Sequence, residues 1–244
     1  MDLLTYAEDS GRNGSLISAA IGISNQSRAL AEVQRLIASD KLDREGMARL
    51  AADLEALDHD FPAIGPAFVN EALSIGMTVR KYGGLPPDWF PARPKTVWRR
   101  ATASLGNGFL TRGMWADAVM EEEGYMRRIE ASDKAEFLVA EKEFARINAE
   151  AKATTNPMTS AIFPRVTSYA TQHRLNLALL RLSRTAATYR ATEQVLELDD
   201  PLGTKLLHKK ENGKLKFWSV GIDGRDAGGT GGTDDIVLEV PTSR

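Results

Sequence analysis

Most side chains in this sequence that could do chemistry are carboxylates. Glu121-Glu122-Glu123 could supply paired acids for proton transfer. Consecutive helical residues point in different directions, so at most one pair shares a site and a solvated helix face is the expectation. An acid/base site could also be assembled from scattered acids such as Glu71, Asp117 and Glu121. Asp58-His59-Asp60 offers metal-ligand types, but His173 and His208 lie far away with no ligand spacing, so a helix-linking turn is expected there. A Gly-x-Ser-x-Gly elbow, a Walker loop and a dinucleotide fingerprint after a strand are all missing. The glycines at 228, 229, 231 and 232 lead into a strand among acids, which is wrong for phosphate. Residues 89–100 interleave Trp89, Phe90 and Trp98 with Arg93, Lys95, Arg99 and Arg100. Such a stretch suits a nucleic-acid or peptide surface, where rings stack and cations meet phosphates. With a net charge of −2, a proline-rich connection anchored by its tryptophans is the expected reading, with no nucleic-acid partner.

Composition narrows the classes further. At 244 residues, with 43% hydrophobic and 26% charged side chains, the chain can bury a core without staples and is not wholly disordered. The absence of cysteine excludes disulfide frameworks, thiolate zinc sites, iron–sulfur clusters and cysteine nucleophiles. Met1-Asp2-Leu3-Leu4 lacks the basic start of a signal peptide, and residues 16–23 form an apolar run far short of the about 20 residues a span requires. Any membrane link is therefore expected only through a lead segment absent from this chain.

The elements that must position these acids follow from glycine and periodicity. No glycine lies between Tyr125 and Leu202, whereas eight of the 20 fall between Gly203 and Gly232. The first interval predicts helix and the second predicts turns. Three- and four-residue steps predict helices over about 15–39, over a segment N-capped by Asp43, and from Pro66 to Gly83. Further helices are expected over about 109–131, 134–153 and 164–194, with four of the ten prolines marking a connection over 86–94. The last helix has so wide an apolar face that it must pack on two sides, its arginines alternating with that face. Residues 205–210 and 215–220 read as strands joined through Asn212-Gly213, a strong hairpin signal, and 236–240 as a third. Three short strands need a helix to cover one face, and the helix just upstream is the expected cover. The fold class is α+β: mainly α-helical, with a long helix packed on a small C-terminal antiparallel sheet. The expected division is a helical domain over 1–155 and the long helix plus sheet over 156–244.

The ending carries a resemblance. A long helix, Asp200-Pro201-Leu202-Gly203, a hairpin, Phe217-Trp218-Ser219-Val220-Gly221-Ile222-Asp223-Gly224 and a Gly/Asp loop closing on Asp234-Asp235-Ile236 together resemble the C-terminal half of the major pseudopilin of type II secretion. That family ends with an Asp-Pro-aromatic-Gly turn, a strand reading aromatic-Ser-Leu-Gly-Ala-Asp-Gly and an acidic loop ending in Asp-Ile. Over nearly the whole length the chain is also similar to large uncharacterised proteins of planctomycete-like bacteria that join a helical region to this ending. Leu16-Ile17-Ser18 through Leu36, the helix around Leu50 and Leu54, Asn156-Pro157-Met158 and the stretch from Arg174 to Tyr189 carry that second likeness. Pseudopilins hold calcium in the corresponding loop. The resemblance implies metal ligands at Asp223 and Asp235, with Thr233 standing at another family carboxylate and Asp226 or Asp234 substituting for it. Calcium needs six to eight oxygens, and the loop glycines let carbonyls turn inward. A solvated loop whose acids serve solubility is the competing reading.

These readings converge on a non-enzymatic structural or protein-binding protein, associated with type II secretion or pilus-like envelope machinery. Its partner is expected in the cell envelope, and its location is periplasmic or membrane-tethered, or cytoplasmic if no lead segment exists. A soluble helical adaptor with a β cap is the alternative, and an enzyme built on scattered acids is a third. In pseudopilins the long helix continues an apolar N-terminal segment, whereas here other helices precede it, so pilus incorporation is not implied.

Overall fold

The computed structural model describes residues 4, 14–39, 41–82, 109–156, 159, 163, 166–230 and 234–242. Their elements are α1 (Leu16–Ala38), α2 (Arg44–His59), α3 (Gly65–Tyr82), α4 (Phe109–Ser132), α5 (Phe137–Ala153), α6 (Val166–Thr192), β1 (Leu207–Glu211), β2 (Lys214–Ser219) and β3 (Ile236–Pro241). The fold is α+β, mostly helical with one small antiparallel sheet. The proline-rich residues 86–94 and the Trp/Arg stretch 89–100 lie outside the described residues.

Local signals set most boundaries. Ser15 caps α1 by accepting from the Ser18 amide, and Asp43 caps α2 by accepting from the Gly46 amide at 2.8 Å. Helix α5 starts at Phe137, three residues later than the periodicity suggests. The delay has a cause in tertiary structure. Arg174 of α6 donates to the carbonyls of Asp133 (2.6 Å) and Ala135 (3.0 Å), holding residues 133–136 as a turn that satisfies the end of α4.

Helix α6 is the hub. It packs on α1, α2 and α5 and on two strands, which accounts for its wide apolar face. Fully buried Asn176 donates to the Ile23 carbonyl at 2.8 Å, and the Ser27 hydroxyl donates to its Oδ1 at 2.8 Å, a polar rung between α1 and α6. The arginines of α6 are not merely a solvated stripe. Arg181 and Arg184 both bind Asp58 at 2.9 Å, and Arg190 donates to the carbonyls of Ile37 (2.7 Å) and Ser39 (3.2 Å) at the end of α1. Arg44 of α2 reciprocates, donating to the Ala191 carbonyl at 2.5 Å. Helix ends whose carbonyls lack intrahelical partners are thus satisfied by cations.

The sheet has order β1-β2-β3, with Phe217 opposite His208 on one side and Leu238 on the other. Leu215, Phe217, Leu238 and Val240 form its inner face and join Leu30, Ile37, Leu54, Leu180, Leu182 and Ala187 in one apolar cluster. The cover expected from α6 alone is shared with α1, which packs on β3. One core therefore draws on both sides of residue 155.

At the hairpin tip, Asn212 (φ 51°) and Gly213 (φ 72°) both have the positive φ that a type I′ turn requires. Nothing crowds a Cβ at Gly213, so strain alone sets the cost of substitution. Gly213→Val is expected to destabilise the protein by about 1 kcal/mol or more, read from the urea midpoint. An unchanged midpoint would contradict the turn.

Candidate functional site

The acidic loop between β2 and β3 folds back over the outer face of the sheet. A Cβ at Gly229 (φ 64°) would stand 2.9 Å from the Trp218 ring, so this glycine lets the backbone lie against the indole. Asp226 Oδ1 accepts from Trp218 Nε1 at 2.9 Å and from the Gly228 amide at 2.8 Å. Asp235, buried, accepts from the Gly229 amide at 2.8 Å through Oδ2 and from the Ala227 amide at 3.4 Å through Oδ1. Asp223 Oδ1 accepts from the Arg225 amide at 2.9 Å, and Asp234 is exposed. Thr233 lies outside the described residues. Three of the four aspartates thus staple the loop's own backbone, and Asp226 also holds the tryptophan.

No group of three or more His, Cys, Asp or Glu side chains that could hold a metal forms among the described residues. Both oxygens of Asp235 already accept amides, and the loop is closed by those bonds. A melting temperature that stays flat up to millimolar calcium would leave this loop closed only by its own amides. A rise that Asp223→Ala removes would instead establish an ion there, since only a folded cage gathers such ligands.

The turn before the hairpin is organised by its first residue, a carboxylate whose partners the sequence does not reveal. Buried Asp200 accepts from the Leu202 amide (3.0 Å) and the Ser219 hydroxyl (2.9 Å) through Oδ1, and from the Val220 amide (3.1 Å) through Oδ2. It ties the Asp-Pro-Leu-Gly turn to the end of β2. The single Asp-Pro step of the chain, opening the Asp-Pro-Leu-Gly turn, is the hint that the sequence offers.

The scattered acids separate into two places. Asp117 and Glu121, one turn apart on α4, line a cleft of about 460 Å³ with Met114, Met120, Thr155 and Asn156. The hydroxyls of Thr154 and Thr159 donate to Glu121 Oε2 at 3.0 and 2.5 Å. Glu71 lies elsewhere: its Oε2 accepts from the Leu16 amide at 3.1 Å at the start of α1.

Glu122 overturns the expectation of a solvated acidic face. It belongs to the buried stripe Trp115, Ala118, Met126 and Ile129, and it is fully buried with neither carboxylate oxygen hydrogen-bonded. Burial, and secondarily the negative charge of Glu71, pushes its pKa up to about 8. The signal was present in the sequence as one polar residue on an otherwise apolar three–four spacing.

The histidine readings resolve simply. His59 lies 2.8 Å from Asp60 in an exposed contact, while Asp58 is occupied by Arg181 and Arg184. His173 is buried, with Nε2 2.7 Å from the Pro62 carbonyl, and desolvation holds its pKa below the ordinary value. The neutral ring therefore donates through Nε2. Comparison with family models, with curated proteins and with solved structures finds no match for this chain.

Proposed function

We propose that the chain is a structural, protein-binding module rather than an enzyme, and that its C-terminal helix-plus-sheet unit serves cell-envelope machinery of the type II secretion kind. One observation carries the binding reading. Leu138 and Val139 at the start of α5 and Ile222 in the loop after β2 stand 48%, 56% and 48% exposed. Gly224 lies against Leu138, where an added Cβ would be 3.1 Å from Cδ1, so these apolar side chains gather at one corner of the sheet unit. The order of long helix, Asp200 turn, hairpin, acidic loop and third strand supports the link to secretion. Asp200, Asp223 and Asp235 in the turns of the sheet unit each accept backbone amides, which favours an architectural role over chemistry.

A second reading, a helical adaptor with a β cap and no tie to secretion, is favoured by the sheet's inner face. Leu215, Phe217 and Val240 share one core with α1 and α2. Photo-crosslinking from Ile222 in native cells separates the two. The first reading expects an identified envelope secretion component whose yield falls in Leu138→Ser. Crosslinks to a cytosolic protein alone would favour the adaptor, and none from either source would sink both.

A further inference from the structure

We propose that the free edge of β1 binds an acidic segment of a partner protein, which lies against it as an added strand. The proposal does not rest on the surface at Ile222. The sheet has two edges, because β2 lies between β1 and β3. Glu211 and Lys214 flank the two-residue turn at Asn212-Gly213 and therefore form a hydrogen-bonded pair. Alternation along the ladder then turns the main-chain N–H and C=O of Leu207 and Lys209 toward β2, and those of Leu206, His208 and Lys210 away from it. The Leu206 amide follows this pattern by donating outward to the Leu198 carbonyl at 3.0 Å. Past that bond the edge is open. His208, Lys209, Lys210 and Glu211 are all exposed, and the outward groups of His208 and Lys210 have no main-chain partner among the described residues.

The two edges differ in chemistry. On β3 the same alternation leaves Val237, Glu239 and Pro241 facing outward. Pro241 has no N–H to offer, Glu239 already holds Lys214 and Lys216 at 3.1 and 3.5 Å, and α1 packs on this strand. On β1, Lys209 and Lys210 carry their charges to opposite faces with no ion-pair partner among the described residues. These lysines reject a second copy. Two β1 edges brought together antiparallel would set lysine against lysine, and like charges opposite one another are destabilising. A strand with acids at alternate positions meets the reverse. Its main chain takes the two N–H and two C=O groups of His208 and Lys210, and its carboxylates continue the row that those residues share with Phe217 and Leu215. Charge selects the occupant and the backbone holds it.

The test is titration of the ¹⁵N-labelled full chain with end-blocked pentapeptides, read from the amide signals of His208 and Lys210. Probes are acetyl-Glu-Thr-Glu-Thr-Glu-amide, the same peptide N-methylated at every residue, and acetyl-Lys-Thr-Lys-Thr-Lys-amide. The first is expected to shift both signals saturably, and the other two to leave them in place. Joint replacement Lys209→Glu and Lys210→Glu should weaken the acidic peptide by about tenfold or more and admit the basic one. Neither lysine has a described ion pair to lose, and the peptide series on the unaltered chain needs no variant. No shift up to about 10 mM acidic peptide would overturn the proposal. Equal binding of the N-methylated peptide, which keeps the charge and lacks the donors, would overturn it too, as would equal binding by the doubly replaced chain. A dimer of the chain alone whose formation shifts the same two amides would give the edge to a second copy instead.

Discussion

Gly221→Ala is expected to be among the most damaging single-methyl changes in this protein. Gly221 has φ 70°, and a Cβ built there would sit 1.9 Å from the Asp234 carbonyl oxygen and 2.6 Å from its carbon. Both atoms are main chain, so no side-chain rotation can relieve the clash. The two strands of the acidic loop touch at this point, and Asp235, which staples the loop, follows directly. Opening the base would loosen the Asp235 bonds and uncover Trp218. The expected loss is about 3 kcal/mol or more, a fall of roughly 10 °C in melting temperature for a chain of this size. Gly228→Ala is the control. Its φ is 73°, but nothing lies within 4 Å of the added carbon, so only backbone strain of about 1 kcal/mol applies. Equal losses from the two variants would show that the close approach is not what demands glycine at 221.

Glu122 gives the second large effect, and its sign is fixed by linkage. The folded carboxyl titrates near pH 8, the free one near the ordinary 4.5. Above pH 4.5 the unfolded chain releases a proton that the fold retains, so each further pH unit removes stability until about pH 8 is passed. The contribution is thus complete below pH 4.5 and lost by about pH 9, on the order of 5 kcal/mol in all. Glu122→Gln keeps the shape and cannot ionise. Urea midpoints should nearly coincide for the two proteins at pH 5, with the variant clearly more stable at pH 9. Taking the difference between proteins removes the titration of other groups, including Glu143, held near 2 by hydrogen bonds from Arg146 and Arg128. Parallel pH profiles would refute the assignment.

Local chemistry proved legible where it acts over a few residues. Ser15, Asp43 and Asn212-Gly213 each do what their side chains or backbone preferences dictate, and the switch from three–four spacing to strands falls where the sheet begins. The late start of α5 was not legible, because Arg174, some forty residues onward, holds the turn. The same distance effect hides the destinations of Arg181, Arg184 and Arg190, which periodicity can place on a face but cannot pair with Asp58 or the end of α1. Among the acids, type was readable and role was not. Asp226 meets the Trp218 indole and Asp235 the Gly229 amide, partners that only the folded loop brings near, and adjacent Glu121 and Glu122 part company, one into a cleft and one into a helix seam.

The bond from Asn176 to the Ile23 carbonyl and the grip of Arg190 on Ile37 each span 153 residues. On a ribosome this separation becomes a delay. Synthesis at roughly 5–20 residues per second leaves α1 on the order of ten seconds without the helix that completes its face. During that interval Ile23, Leu30 and Ile37 have no α6 to cover them, so the nascent chain offers a natural site for a holding chaperone. Folding should finish as α6 and the sheet emerge, and a ribosome stalled before residue 166 should carry a protease-sensitive α1.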